Sequence, residues 1–371
     1  MKKFVLVPDS FKGTMSSAQV CEVMTEAIHS VFPTAKVVSL PVADGGEGSA
    51  EAFLTALGGE KVELRVTGPE GEEVDSFYVL LPDGTAVIEM AAAAGLPQVT
   101  GERNPEKTTT FGVGELLIHA AHNGAKRAIM CLGGSATNDG GCGLAAACGI
   151  QFRKAGGELF VPTGGTLKDI AYISAGAMDQ RVRKLPIVTM CDIDNPLCGP
   201  SGAAAVFGPQ KGADEAMVQR LDEGLRHLAE LWERDLGTNA LNIPGAGAAG
   251  GMGGGMAAYF WSRLQPGIET VLDTVRFSEV AADADLILTG EGKLDTQSLR
   301  GKVVCGVAKR AGTVPVAAIV GDVGDGIEAV YDMGVKAVFS INRVAVPYEQ
   351  ARLRAKRDLR ETVTDVMRLL K

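Results

Sequence analysis

The sequence lacks an apolar run near the roughly 18 residues that a membrane-crossing helix needs. Its N-terminus, "MKKFVLVPDS", carries the apolar stretch "FVLV" before Pro8, too short for the apolar core of a signal peptide. There is no isolated block of lysine and arginine, and the formal net charge is −9, which argues against a nucleic-acid partner. The nearest basic stretch, "ARLRAKRDLR" at 351–360, interleaves its charges with an apolar series continued by Leu353, Leu359, Val363 and Met367. It reads as the solvated face of a last amphipathic helix. Four scattered histidines offer no triad or zinc constellation, and seven cysteines form no C-x-x-C pair. The thiols suit small core positions in a reducing compartment, so a soluble, cytoplasmic protein without a membrane partner is expected. Also missing are the phosphate loop G-x-x-x-x-G-K-[ST] and the nucleophile elbow G-x-S-x-G.

What the chain does have is glycine, 48 of 371 residues, set between apolar runs. The first sixty residues read as strand, helix, strand, helix: "FVLVP", a helix from Ser16 to Val31 opened by a Ser16–Gln19 capping box, "AKVVSLPV", and a helix from Glu47 to Leu57. The last ninety repeat the pattern with "ADLILTG", a helix near Thr296–Ala311, "VPVAAIV", a helix near Gly326–Met333, "KAVFSI" and the final helix. Continuous apolar strands alternating with helices imply a parallel sheet covered on both faces. Residues 62–90 differ, with short alternating strands split by "GPEG" and "PDG", which are hairpin signals. A helix near Thr110–Asn123 follows. "GAGAAGGMGGG" at 245–255 is too rich in glycine for a helix or strand on propensity and reads as a ligand-lining loop or hinge.

The expected fold is therefore α/β: a flavodoxin-like, doubly wound parallel-sheet domain of residues 1–62 and 286–371, interrupted by an inserted mixed α/β domain of residues 63–285. Two consecutive α/β domains are the alternative, and either arrangement predicts an interdomain cleft for a small ligand. Six strand ends carry carboxylates among glycines or other turn residues: "DSFKG", "ADGGEG", "GGSATNDGG", "CDIDNP", "GEGKLD" and "GDVGDG". Open α/β sheets bind ligands beyond the carboxyl ends of their strands, where loop amides face anions. Several acids beside many backbone donors suit phosphoryl transfer, which needs metal ligands, phosphate donors and a carboxylate that accepts a hydroxyl proton. "GAGAAG" matches the dinucleotide pattern G-x-G-x-x-G but lacks a clear strand before it.

Assembled, these loops resemble the glycerate kinase type 1 family. The resemblance runs through "PDSFKGTMSS", "ADGGEG", "EMAAAAGLP", "RNPEKTTTFGVGELL", "GGSATNDGGCG", "CDIDNPLCGPSGAAAVFGPQKGA", "PGAGAAGGMGGG" and "TGEGKLDTQSLRGK", in that order along nearly the whole chain. It implies transfer of the γ-phosphoryl group of ATP to D-glycerate, with 2-phosphoglycerate as the usual product, and a flavodoxin-like domain carrying an inserted α/β domain. ATP as co-substrate and Mg²⁺ or another divalent cation follow from the same reading. The expected species is a monomer or small homo-oligomer.

Residue roles can then be assigned as expectations. Asp192, directly after a strand and so expected to be partly buried, is the candidate base for the glycerate hydroxyl, while Asp194 and Asn195 shape the turn. Lys12 and the amides of Ser10 and Phe11 would meet phosphate, with Gly290, Gly292, Lys293 and Lys211 also on the nucleotide. Glu291 and Asp295 are the metal candidates. Asp44 would bind substrate or metal, Glu47 likewise or merely favour a helix N-terminus, and Arg103 would pair with the glycerate carboxylate. Thr108 to Thr110 would cap the next helix. "GGSATNDGG" reads as an anion cradle for glycerate: amides of Gly133, Gly134 and Ser135, the Asn138 side chain as donor, and Asp139 at a hydroxyl or metal. The competing readings are an NAD-dependent hydroxy acid dehydrogenase, which "GAGAAG" would have to support, and a non-catalytic small-molecule binding protein.

Overall fold

Strand Lys3–Pro8 is buried along its whole length, as its unbroken apolar run requires when both faces of a parallel sheet are covered. The computed structural model that places it describes residues 1–42, 48–296 and 298–371. The chain divides into two compact units, one of Met1–Asp44, Glu51–Leu57 and Pro266–Lys371, the other of Gly45–Ala50 and Gly58–Gln265.

In the first unit five strands, Lys3–Pro8, Lys36–Ser39, Leu286–Gly290, Val316–Val320 and Val335–Ser340, are all parallel. Counted along the chain, their order across the sheet is 2-1-3-4-5, the flavodoxin-like order. Helix Ser17–Val31 opens with the expected capping box, Ser16 accepting from the Gln19 amide and Gln19 accepting from the Ser16 amide. This helix and the final one, Tyr348–Leu369, cover one face of the sheet, packing Val20, Met24, Leu359 and Val363 against Phe4, Leu6, Leu288 and Ile319. Each such side chain, fully buried, contributes about 1.5–3 kcal/mol. Helix Val303–Arg310 packs on the first and third strands through its own buried valines.

The final helix departs from the expected stripe at Leu353, which is 81% exposed; the buried line runs through Ala355, Leu359, Val363 and Met367 instead. Its basic residues are paired with acids, Arg354 with Asp358 at 3.1 Å and Arg357 with Glu361 at 2.8 Å, as a solvated face would have them. Two other elements are shorter than expected: the helix near 296–311 begins only at Val303 after a 3-10 turn, and the one near 326–333 is a single turn, Ala329–Asp332.

The second unit is built on a six-stranded mixed sheet. Strands Glu60–Thr67, Glu73–Leu80 and Thr85–Glu89 form the antiparallel meander that the turn signals implied. Arg127–Cys131, Ile187–Met190 and Arg263–Gln265 continue from it in parallel. Strands Gln151–Arg153, Leu159–Phe160 and Tyr172–Ser174 form a small antiparallel sheet that carried no turn signal strong enough to read.

The glycine-rich segment is not a loop. Ala248–Phe260 is helical apart from a break at Ala249, Gly250 and Gly251, where φ is positive. Three glycines inside a helix cost about 1 kcal/mol each on propensity, but here close packing decides. A Cβ on Gly253 would lie 2.3 Å from the Gly245 carbonyl oxygen, and one on Gly255 only 2.1 Å from that of Gly140. The helix exists because nothing larger than glycine fits where the backbones cross. The same geometry removes the dinucleotide reading of "GAGAAG": a 3-10 turn at Ala240–Asn242 precedes it, not a strand, and a Cβ on Gly250 would sit 2.0 Å from the Thr137 carbonyl oxygen. Among the described residues no helix is long and apolar enough to cross a membrane, and all seven cysteines are free thiols.

Candidate active site

The order 2-1-3-4-5 places the topological switch of the first unit between strands Lys3–Pro8 and Leu286–Gly290, where crevices in open α/β sheets form. Pro8 is in register with Gly290, and the Asp9 amide donates to the Gly290 carbonyl at 2.8 Å, so the loops that follow leave the sheet side by side. Two expected phosphate donors are already used there. The Ser10 amide donates to the Asp9 carboxylate at 2.6 Å, and the Phe11 amide to the Met15 carbonyl at 2.9 Å, because this short turn closes on itself. Lys12 stays exposed at its tip. Gly290 is a packing glycine, with its hypothetical Cβ 2.0 Å from the Ile319 carbonyl oxygen, whereas Gly292 lines an open cavity beside Lys12. Lys293 is exposed.

Glu291 is buried, and its Oε1 has no hydrogen-bond partner among the described residues. Burial pushes its carboxyl up to about 7; Ser298 donates a hydrogen bond that opposes this, while the charges of Asp9 and Asp295 add to it. An unpaired buried carboxylate oxygen next to two further acids, with the charge of Lys302 opposing them only in part, is a site that suits a further cation. Among the described residues no three ligating side chains converge as a closed metal cage. That is compatible with Mg²⁺, which is held by one or two carboxylates and completed by water and phosphate oxygens. Asp44 and Glu47 lie outside the described residues.

In the second unit the parallel strands end together at Glu89, Cys131 and Met190, with Asp192 just beyond. Asp192 is exposed, not partly buried as its place after an apolar strand suggested. Glu89, which the sequence reading passed over, is the buried strand-end acid: within the second unit its carboxylate accepts from the amides of Ala50 at 2.6 Å and Gly48 at 3.3 Å. The signal that could have found it is its position, last in an apolar strand and followed by Met90 and the small-residue run 91–95.

The loop 133–141 splits in two. Gly133 and Gly134 remain at the surface, but Ser135 to Gly141 are buried. Asp139 is fully enclosed and cannot meet a substrate hydroxyl or a metal. Its carboxylate accepts from the Thr110 amide at 2.9 Å, the Thr110 hydroxyl at 2.8 Å and the amides of Gly141 and Gly143 at 3.0 and 3.2 Å. Thr110 is thereby diverted from capping helix Phe111–His122, and the Thr108 hydroxyl donates to the Ala136 carbonyl. Thr109 alone turns its oxygen to the Phe111 amide, at 3.2 Å. Asn138 is also fully buried, with neither side-chain polar atom hydrogen-bonded among the described residues. Arg103 is exposed and donates to the Gln210 carbonyl at 3.1 Å.

Lys211, expected at the nucleotide, is instead an internal tie. It is 2% exposed, and its Nζ donates to Ser135 Oγ at 2.7 Å and to the Thr137 carbonyl at 2.6 Å. Burial pushes its ammonium down to about 7, against the opposing pull of Asp139. The unfolded chain holds that proton up to about 10.4, so between these values it binds more protons than the folded chain, and stability rises with pH. The melting midpoint of the natural protein should therefore gain on that of Lys211→Met between about pH 7 and about pH 10. Parallel melting curves across that window would mean the lysine is not desolvated.

An acidic, glycine-rich strand edge at a topological switch, with an exposed lysine at the mouth of a cavity, is what an α/β phosphotransferase presents to its substrates. Relatives agree with that class. Residues 4–371 match the glycerate kinase family. The chain is 44% identical to a glycerate kinase of Bacillus subtilis, covering 100% of this chain and 98% of the relative. It is 43% identical to a glycerate 2-kinase of Escherichia coli, covering 91% and 90%. A crystal structure assigned to a glycerate kinase 2 of Salmonella typhimurium LT2 superposes with a TM-score of 0.89 at 42% identity, covering 100% and 98%. The chain belongs to the glycerate kinase family.

Proposed function

We propose that this protein is an ATP-dependent glycerate kinase that transfers the γ-phosphoryl group of ATP to D-glycerate and yields 2-phosphoglycerate, as a cytoplasmic enzyme acting on small molecules. The reading rests on the match to the family along residues 4–371. In the reaction a glycerate hydroxyl oxygen bonds to the γ-phosphorus while the bond from that phosphorus to the β–γ bridging oxygen breaks, and ADP leaves. Little covalent chemistry falls to the protein in such transfers; positioning and charge do most of the work.

Asp192 is the group proposed to accept the hydroxyl proton. Its exposure leaves it open to substrate, and bound glycerate would supply the desolvation that the strand end does not. Lys12 is proposed to neutralise phosphate charge as the bond to the leaving oxygen lengthens. Arg103 would offer its guanidinium to the glycerate carboxylate, alongside the surface amides of Gly133 and Gly134. Glu291 and Asp295 would hold a divalent cation, which when bound neutralises charge on the β- and γ-phosphoryl oxygens. Asp139, Asn138, Ser135 and Lys211 act behind these groups, fixing the loop.

Incubation with ATP, Mg²⁺ and D-glycerate should release ADP in a glycerate-dependent manner. A parallel incubation with NADH or NAD should show no absorbance change. Tight glycerate binding without ADP release would instead favour the binding-protein reading.

A further inference from the structure

We infer that a cavity of about 290 Å³ in the first unit is the purine pocket of the nucleotide, with the base against Tyr348 and Val346 and its edge read by Asn342. The inference rests on the kinase reading and adds which surface takes ATP. The cavity lies beyond the carboxyl ends of four of the five parallel strands, lined by Lys12, Gly292, Asp322 and Ile341 from the loops that follow them. Ligand pockets start at about 300 Å³, so this one suits a base and part of a ribose, with the phosphates lying outside toward Lys12 and Gly292.

Three features favour a nucleoside over a three-carbon hydroxy acid. Ile341 and Ala355 give the floor an apolar surface, which glycerate has no apolar body to use. Tyr348 is 60% exposed at the start of the last helix, an aromatic ring left in water beside a cavity. Its hydroxyl reaches the Lys12–Gly13 turn, where a Cβ on Gly13 would lie 3.1 Å away, and Gly13 holds a φ of +79°. The phosphate turn and the aromatic wall thus border the same cavity. The third feature is Asn342, whose backbone amide is taken by Ser340 Oγ at 3.0 Å while its carboxamide has no partner among the described residues. A carboxamide matches the donor and acceptor of adenine N6 and N7. Asp322 can accept from ribose hydroxyls, as strand-end acids do in other doubly wound sheets. Arg352 also lines the cavity but is paired with Glu349 at 2.7 Å, which leaves the phosphates to Lys12.

A base that stacks on an aromatic ring loses affinity when the ring is removed. Tyr348→Ala should therefore raise the KM for ATP and the Kd for ADP, read by calorimetry on the full chain, by about tenfold, with the KM for D-glycerate moving less than about twofold. Asn342→Asp should raise the KM for ATP, since a carboxylate still accepts from adenine N6–H but repels the N7 lone pair that the carboxamide's N–H would meet. An ATP KM and ADP affinity unmoved by Tyr348→Ala, in a protein that still phosphorylates glycerate, would overturn the pocket. So would a rise confined to the glycerate KM. Failure of the natural protein to release ADP with glycerate would sink the kinase reading instead, and ADP binding would still report on the pocket.

Discussion

Replacing Asp192 by asparagine is expected to lower kcat by about a hundred- to ten-thousand-fold while the KM values for glycerate and ATP change little. Asparagine keeps the shape and one acceptor oxygen but takes no proton at neutral pH, so it removes only what the side chain does once the phosphoryl group is moving. A change confined to kcat separates that role from simple binding. Asp192 is exposed, and a melting curve measured on the same variant separates lost turnover from lost folding, since surface substitutions usually shift stability by no more than about 0.5 kcal/mol. Near-normal turnover would transfer the role to another loop, with Asp295 first in line.

Asp139→Ala should be the most damaging single change to stability. Four donors, two from Thr110 and one each from Gly141 and Gly143, point at a carboxylate with no exposed surface. Burial pushes this carboxyl up, yet every contact it receives is a donor, which is the environment of an ionised group. Removing it leaves those donors unsatisfied at about 1–3 kcal/mol each. Lys211 would also lose the charge of Asp139, which favours its protonated form. Together these approach the whole stability margin of a domain, about 5–15 kcal/mol. The variant should express as insoluble protein or melt far below the natural one; a midpoint within a few degrees would show that the loop holds itself without the carboxylate.

The parallel sheet could be read because burial on both faces demands continuous apolar runs, and "FVLVP", "LILTG" and "VAAIV" have them. The capping box at Ser16 is equally local, its partner being three residues away. Much of what escaped depends on contacts between distant segments. Gly253 and Gly255 look like flexibility in sequence and are close-packing in space, Gly253 against Gly245 at the head of the same segment and Gly255 against the distant Gly140. "GGSATNDGG" has the composition of a ligand loop, but Thr110, some thirty residues earlier, turns its second half into an internal knot. The amides of Ser10 and Phe11 were expected to face phosphate because glycine-rich turns often do; here the contacts are local, Asp9 and Met15 occupying them, but the composition of the turn does not say that it closes on itself. Glu89 was missed because, as the last residue of its strand, it stands beside no glycine or turn residue of the kind that marked the other acidic strand ends. Residue types and places at strand ends were therefore legible, while the division between groups that face solvent and groups that hold the loops required the fold.

Phosphorus NMR of the products from ATP, Mg²⁺ and D-glycerate tests the central claim most directly. The γ-phosphoryl resonance of ATP should decline as the resonances of ADP and of 2-phosphoglycerate grow in equal amounts. A 3-phosphoglycerate resonance would move the phosphorylated hydroxyl by one carbon, and an ATP spectrum that stays unchanged in the presence of glycerate would contradict the claim outright.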